Sequence, residues 1–491
     1  MCTTIVAALL AACTMGPNFV RPSPQAPAHW SDRPAPATPD QLAATPSGVL
    51  PQPSTVTEQS ADLSAWWNGF YDQLLSSLIE RALSANLDLR TAVLRVDEAR
   101  AQRAIAAAAY WPTLALDDSF TRQRFSVTTP TGALFNEVGR APGAGINIPN
   151  PYNQFQLSAT AVWEIDLFGR LRRSVEAADA GVQVSVEDNR AVMISVLADV
   201  AQSYVELRGA QARLHISTEN LATVDELLDL TRQRRAAGLT THIDVSNALA
   251  QAAVTQAELP TFKLQITQSI NQLSQMLGRE PEALRVELDV IAPVPAAPLE
   301  VSIGLPAELA RRRPDIREAE ANLHVATAQI GVAVASLFPQ LTLGATGGLQ
   351  SAAADNLLEW ASRFGSFGPT LELPVFDRGR WKTVHLSDVR AQEAALAYQR
   401  TVLNALHEVE NALAAYGADQ QKRVWLSAAV AQNLDALALS RQRYESGLVT
   451  FIDVLDMQRT LQQNQLSLAD STTAVTADLV RVYRTLGGGW K

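Results

Sequence analysis

Three side chains near the end of the chain have the types and spacing to do chemistry. Asp453, Asp456 and Arg459 follow one another at intervals of three, which on a helix puts two carboxylates and a guanidinium on one face. Such a set can latch neighbouring helices through Asp–Arg pairs, and repeated around an axis its like charges repel. Exposed pairs contribute roughly 0–1 kcal/mol each, a size suited to a contact that is made and released. Nothing catalytic accompanies it. His29, His215, His242, His324, His385 and His407 are scattered, with no pair at metal-ligand spacing. Gly344-Ala-Thr-Gly-Gly348 is too short of a glycine fingerprint for a nucleotide site and reads as strand or loop. The two cysteines, Cys2 and Cys13, both fall within the first 13 residues and leave neither a core disulfide nor a zinc site. These residues argue for no enzyme, no metal and no cofactor.

The acidic and basic set sits just after a stretch that occurs twice. Leu230 to Val245 returns as Leu439 to Val454, with ten of sixteen positions identical at a constant offset of 209. Each copy reads as a helix, a tight turn at Gly238-Leu239 or Gly447-Leu448, and a second helix. Glycine supplies the left-handed residue that ends the first helix. Thr241 or Thr450, with Asp244 or Asp453, caps the next. A single copy is equally well read as a plain chain reversal; two copies with the same polar residues argue for a shared job.

The repeat extends further. Arg313-Pro-Asp-Ile-Arg317 pairs with Asn86-Leu-Asp-Leu-Arg90, Phe338-Pro-Gln-Leu341 with Trp111-Pro-Thr-Leu114, and Leu371 to Phe376 with Trp163 to Phe168. Each half reads as helix, strand, strand, long helix, turn, helix. The first half has a helix from Leu74 to Leu83, then one that Asp88 caps and that runs to about Tyr110. Strands follow near Thr113 to Val127 and around Phe155 to Ile165, with a Gly/Pro/Asn-rich loop between them from Thr129 to Pro151. Phe155, Leu157, Ala159, Ala161, Trp163 and Ile165 alternate with polar residues, as in a strand between lipid and water or in a soluble sandwich. Between about Gly169 and Ala237, Met193, Val200, Leu207, Leu214, Leu221 and Leu228 recur every seven residues, the mark of a supercoiling helix. At about 1.5 Å per residue it spans on the order of 100 Å. The return helix, Ser246 to Leu277, contains Pro260, which predicts a kink or a junction. The second half places strands near Gln340 to Leu349 and Phe367 to Phe376, and helices from about Trp381 to Glu445 and Val454 to Leu486. Four strands cannot close a barrel and lipid tolerates no open sheet edge, so transmembrane strands would require oligomerisation.

The organisation is 1–12 signal peptide, 13–60 lipidated and proline-rich tether, 61–292 first repeat, 293–306 crossover, and 307–491 second repeat. Leu10-Ala-Ala-Cys13 has the pattern of a lipoprotein signal, with Cys13 as acceptor of S-diacylglycerol and N-acyl chains; a truncated ordinary signal peptide is the other reading. Residues Thr14 to Ser60 hold ten of the 25 prolines and read as an extended tether, with the folded body starting near Trp66-Trp67. Forty basic against fifty acidic residues, a net charge of −10, disfavour nucleic acid as a partner. No run long enough for a transmembrane helix follows the first dozen residues.

Leu10-Ala-Ala-Cys13 with Gly16-Pro17 and Arg21-Pro22, Trp66-Trp67 with Phe70 and Asp72, Arg312-Arg-Pro-Asp315 through Ile330-Gly331 to Phe338-Pro339, and Arg443-Tyr444 with Gly447 and Asp453-Val-Leu-Asp456 resemble the TolC-like outer-membrane factors, in the lipoprotein branch with NodT-type exit ducts. The resemblance covers essentially the whole mature chain. It implies a mainly α chain with transmembrane β: a homotrimer whose 12-stranded outer-membrane β-barrel continues into a long periplasmic α-helical barrel. It implies a passive duct for drugs or toxic compounds, fed by an inner-membrane pump, often of the resistance-nodulation-division type, through a periplasmic adaptor. Cys13 then anchors the chain in outer-membrane lipid. The repeated turns, Gly238-Leu239 and Gly447-Leu448, become the periplasmic tip that meets the adaptor, and Tyr444, Asp453, Asp456 and Arg459 become its gate. Arg235 and Asn247 stand where the second copy has Tyr444 and Asp456, which puts gate chemistry mainly in the second repeat. A duct for protein export beside an ABC transporter keeps the same fold. A purely structural periplasmic coiled-coil lipoprotein is the remaining reading, and the strand alternation speaks against it.

Overall fold

The structure is a computed structural model, and residues 14–23, 26–31, 52–60, 62–130, 132–133 and 150–490 are described. Cys2, Cys13 and the signal peptide lie outside the described residues, as does most of the 129–151 loop. The two halves repeat element by element. In the first, α2 (Leu87–Ala108) leads through β2 (Thr113–Gln123) and β3 (Tyr152–Ile165) into α3 (Arg170–Ala236) and α4 (His242–Met276). In the second, α5 (Pro314–Ala335), β5 (Gln340–Ser351), β6 (Arg363–Glu372), α6 (Arg378–Glu445) and α7 (Phe451–Thr485) follow the same order. The paired lengths agree closely: 22 and 22 residues for α2 and α5, 67 and 68 for α3 and α6, 35 and 35 for α4 and α7. Ahead of the first half lie β1 (Thr55–Thr57) and α1 (Gln73–Ala85), and between the halves β4 (Glu300–Ser302).

The chain divides into two compact units that interleave in sequence rather than follow the repeats. One comprises residues 1–20, 98–182 and 321–395; the other comprises 21–97, 183–320 and 396–491. The first holds a four-stranded antiparallel sheet in the order β2-β3-β5-β6. The second holds the helical core, where buried Leu197, Val200, Tyr204 and Leu207 of α3 share one cluster with Leu273 of α4, Tyr416 of α6 and Leu479 of α7. The seven-residue stripe foreseen on α3 is thus its packed face, with Val200 and Leu207 fully buried. Backbones come close where side chains are small. A Cβ on Gly209 of α3 would meet Thr473 Oγ1 of α7 at 2.6 Å, whereas one on Gly181 would meet open space.

Several expectations need correction. Asn86, not Asp88, caps α2: its Oδ1 accepts from the amides of Asp88 and Leu89 at 2.9 and 3.0 Å, and Asp88 lies in the first turn, where the helix dipole favours a carboxylate. Pro260 makes no junction, because α4 runs through it as one helix; the residue is exposed, so water can serve the carbonyl left without a donor. The last strand is Arg363–Glu372 rather than Phe367 to Phe376. Its register against β5, from Leu349↔Arg363 to Gln340↔Glu372, runs out at the first residue of β5. Pro369, which has no N–H to donate, lies on β6, the strand that among the described residues pairs only with β5.

The proline-rich segment is no free tether where it is described. Trp30 is buried and donates its indole N–H to Gly304 O at 2.9 Å, and β1 pairs in parallel with β4. The folded body therefore includes residues well before Trp66, and the 293–306 crossover carries a strand with Val301 and Ile303 in the core.

The Trp66-Trp67 motif is structural: Trp66 stacks on Tyr483 at 5.2 Å. Asp72 caps α1 at the Leu75 amide and accepts from Tyr204 Oη at 2.8 Å. Arg313 binds Asp315, Glu408 and Thr485 O.

One buried carboxyl is held against its preference. Burial, then a hydrogen bond shared with Asp419, pushes Asp478 up to about 6, with nearby Arg481 opposing only in part. A carboxyl raised in the folded state contributes less as pH climbs. The melting temperature should therefore fall between the ordinary carboxylate range and pH about 6, and Asp478→Asn should flatten that fall in a series of thermal scans.

Candidate functional site: the sheet faces and the paired turns

Strand register sorts the sheet's side chains into two unlike faces. Leu114, Ala161, Ala345 and Phe367 form one cross-strand row; Trp163, Leu343 and Pro369, then Ile165, Leu341 and Leu371, form the next ones on the same face. The alternate rows are polar, such as Thr160, Thr346 and Ser366, or Glu164, Thr342 and Thr370. Asp118, opposite Leu157, and, toward the strand ends, Arg122 and Arg363 are departures on the apolar face, and Phe364, opposite Gly348, is one on the polar face. Among the described residues nothing covers the apolar face: Leu116 is 80% and Phe367 77% exposed. Aromatics gather at both ends. Exposed Trp111 and Trp381 and the stacked Phe168–Phe338 pair mark one end, and the stacked Phe125–Tyr152 pair marks the other. Strands of 10 to 14 residues with an apolar band between aromatic girdles fit a bilayer. Among the described residues, β2 and β6 each leave one edge unpaired. Among the described residues no helix is long and apolar enough to cross a membrane.

The repeated turns are built alike. Gly238 and Gly447 take φ of +74° and +75°. Leu239 N donates to Arg234 O and Gly238 N to Arg235 O; Leu448 N donates to Arg443 O and Gly447 N to Tyr444 O. These are Schellman turns, which satisfy the last helical carbonyls. Leu239 and Leu448 stand exposed at the two turns. Thr241 and Asp244 form a capping box at the start of α4, with Thr241 N donating to Asp244 Oδ2 at 3.1 Å and Asp244 N to Thr241 Oγ1 at 3.4 Å. Asp453 Oδ2 likewise accepts from Thr450 N and Oγ1 at 2.8 and 2.7 Å.

These bonds lower both carboxyls. Burial would raise Asp244, and the bonds from Thr240 and Thr241 outweigh it; Asp453 is lowered by Thr450 alone. Carboxylates depressed in the folded state stabilise it above the ordinary range, and that contribution is lost as pH falls through the depressed values. Deuterium exchange should show the first turns of α4 and α7 fraying below about pH 4, with Asp453→Asn fraying α7 already at neutral pH.

The expected gate residues separate into different roles. Asp453 is a cap. Tyr444 is buried in its own chain, packed 5.8 Å from Phe451 and beneath the Arg234 guanidinium at 4.6 Å, so it is no exposed latch within one chain. Asp456 and Arg459 face each other along α7 at 3.9 Å, both about half exposed. The bond between helices is another one: Arg459 Nε donates to Gln251 Oε1 of α4 at 2.7 Å. A hydrogen bond from a charged donor contributes about 1.5–3 kcal/mol, an exposed ion pair about 0–1 kcal/mol, so Gln251 holds Arg459 more firmly than Asp456 does.

Gln251 opens a polar seam that the sequence reading missed. Gln458 donates to Asn220, Asn220 to Gln465, and Gln462 to Glu258, with Gln458 and Gln462 buried. The available signal was amide residues at helical spacing after Leu455, where an apolar stripe should continue.

An uncovered apolar sheet face between aromatic ends, two open strand edges and helices of 67 and 68 residues define a channel-forming outer-membrane protein. The chain belongs to the outer membrane efflux protein family: the family's sequence model matches residues 78–279 and again 305–488. It is 32% identical to the outer membrane protein OprJ of Pseudomonas aeruginosa, over 99% of this chain and 95% of that one. To nodulation protein T of Rhizobium leguminosarum bv. trifolii it is 31% identical, over 95% and 92%. The solved outer-membrane channel OprN aligns with a TM-score of 0.83 at 32% identity, covering 97% of this chain and all of that one. The protein is an outer-membrane exit duct of efflux systems.

Proposed function

We propose that three copies close a 12-stranded barrel in the outer membrane, β6 of each pairing with β2 of the next, and that their helices form a periplasmic barrel. The observation that carries this reading is the four-stranded sheet with two unpaired edges and one uncovered apolar face, because lipid tolerates a sheet only when it is closed. Small molecules pass through passively. An inner-membrane pump of the resistance-nodulation-division type supplies the energy, and a periplasmic adaptor joins it to the duct. The exposed Leu239 and Leu448 at the two turns offer that adaptor apolar knobs on fixed backbone. Acylated Cys13 adds a lipid anchor.

The gate lies in the second-repeat hairpin, with Tyr444, Asp453, Asp456 and Arg459, and Gln251 of α4 joins it through its bond to Arg459. The Arg459–Gln251 bond ties α7 to α4, and the Arg234–Tyr444 stack ties the end of α3 to the end of α6, at rest. Adaptor binding exchanges these contacts for its own.

A photo-reactive residue at exposed Ser446 tests the docking in living cells. Recovery of a periplasmic adaptor with a resistance-nodulation-division pump is expected. Recovery of an ABC exporter would move the duct to protein secretion, and recovery of no adaptor from an outer-membrane trimer would refute the role of the turns.

A further inference from the structure

Gly16-Pro17 and Ile330-Gly331, separated by more than three hundred residues, meet in the structure. Gly16 has φ +86°, and a Cβ added to it would lie 2.5 Å from Gly331 Cα. A Cβ on Gly331 would in turn strike Arg173 Cγ and Cδ at 2.8 Å. The absent side chains make room for the Arg173 stem and for the segment laid across it.

Arg173 is 3% exposed, and its guanidinium serves that segment almost entirely. Nε donates to Met15 O at 3.2 Å, and Nη2 donates to Gly16 O at 3.3 Å and to Asn18 Oδ1 at 2.7 Å. Nη1 donates to Glu176 Oε2 at 2.7 Å. Glu176 Oε1 meets His324 Nε2 at 3.1 Å, and the His324 ring stacks on Phe19 at 4.4 Å. At the other end Met15 N donates to Phe168 O at 3.1 Å. Thr14 Cα lies 3.0 Å from where a Cβ of Gly169 would stand, another glycine with positive φ. A freely moving tether would not take up a buried arginine and three glycines.

We infer that residues 14–19 are a docked strap that holds the amino-terminal segment against the end of β3, and that Arg173 is its positioning residue. On the reading of Cys13 as the acylated residue, which this rests on, the clasp ties the lipid anchor to the sheet through the described residues 14–19. A planar fork that reaches several acceptors at once is a task for arginine rather than lysine.

Deuterium exchange on the full-length protein, purified from outer membranes, tests the inference. The Met15 amide should be protected in the unaltered protein and in Cys13→Ala. Arg173→Lys and Gly16→Ala should each speed its exchange roughly tenfold or more, while α3 exchange and the melting temperature hold. Exchange at random-coil rate in the unaltered protein, or unchanged exchange in both variants, would overturn it. Should Arg173→Lys unfold α3, Gly16→Ala, far from the helix interior, still decides. The mass of the amino-terminal peptide in the same digests reports acylation separately. A protected but unacylated strap would retire the anchor and keep the clasp; an acylated but unprotected one would do the reverse.

Discussion

Ala345→Arg is expected to clear the protein from the outer membrane as a folded species, while Thr346→Arg, one position on, is expected to leave it there. Both residues lie in β5, a central strand, and their neighbours are Ala161 and Phe367 in one case and Thr160 and Ser366 in the other. An arginine on the lipid face near the bilayer centre costs about 2–4 kcal/mol, and the proposed trimer would carry that cost three times. On the polar face the same side chain meets water. Heat-modifiable migration of the outer-membrane fraction reads the difference. Equal behaviour of the two variants would mean that the uncovered apolar face does not face lipid.

The second large effect is a change of sign between two glycines of one helix. Replacing glycine by alanine inside a helix ordinarily stabilises by about 0.5–1 kcal/mol. Gly181→Ala, with open space around it, should show that gain as a raised melting temperature. Gly209→Ala should lose instead, because its methyl group would lie 2.6 Å from Thr473 Oγ1 and 2.7 Å from Thr473 Cγ2. Thr473 is buried and cannot swing aside, and overpacking of that kind costs about 1–3 kcal/mol. Thr473→Ala in the same chain should restore most of the loss. If it does not, the close approach of α3 and α7 is not what the glycine serves.

What was legible in the sequence was what has a local period. The seven-residue stripe on α3 and the alternation of β3 repeat within a few residues, and the turn is a short motif whose copy returns at an offset of 209, so element order and the turn chemistry could be read directly. Strand ends were less visible, because the end of β6 is set by where β5 begins, not by the residues of β6 itself. Contacts across long sequence separations left no trace. Trp30 looked like part of a proline-rich tether, yet it lies in the core against a carbonyl 274 residues away. Asp453, Asp456 and Arg459 share a helix as their spacing predicts, but their partners do not follow from spacing: Thr450 takes Asp453, and Gln251 on another helix takes Arg459. Arg173 carried no motif of its own, and only the meeting of Gly16 with Gly331 shows what it holds.

The central claim is that the chain forms a passive duct kept closed by its second-repeat hairpin. Single-channel recording of the purified protein in planar bilayers tests it most directly. The account predicts a channel of low resting conductance, and a severalfold rise when Arg459→Ala and Gln251→Ala remove the bond between α7 and α4. A protein that inserts yet passes no current in either form would contradict the duct, and an unchanged conductance in the variant would contradict the gate.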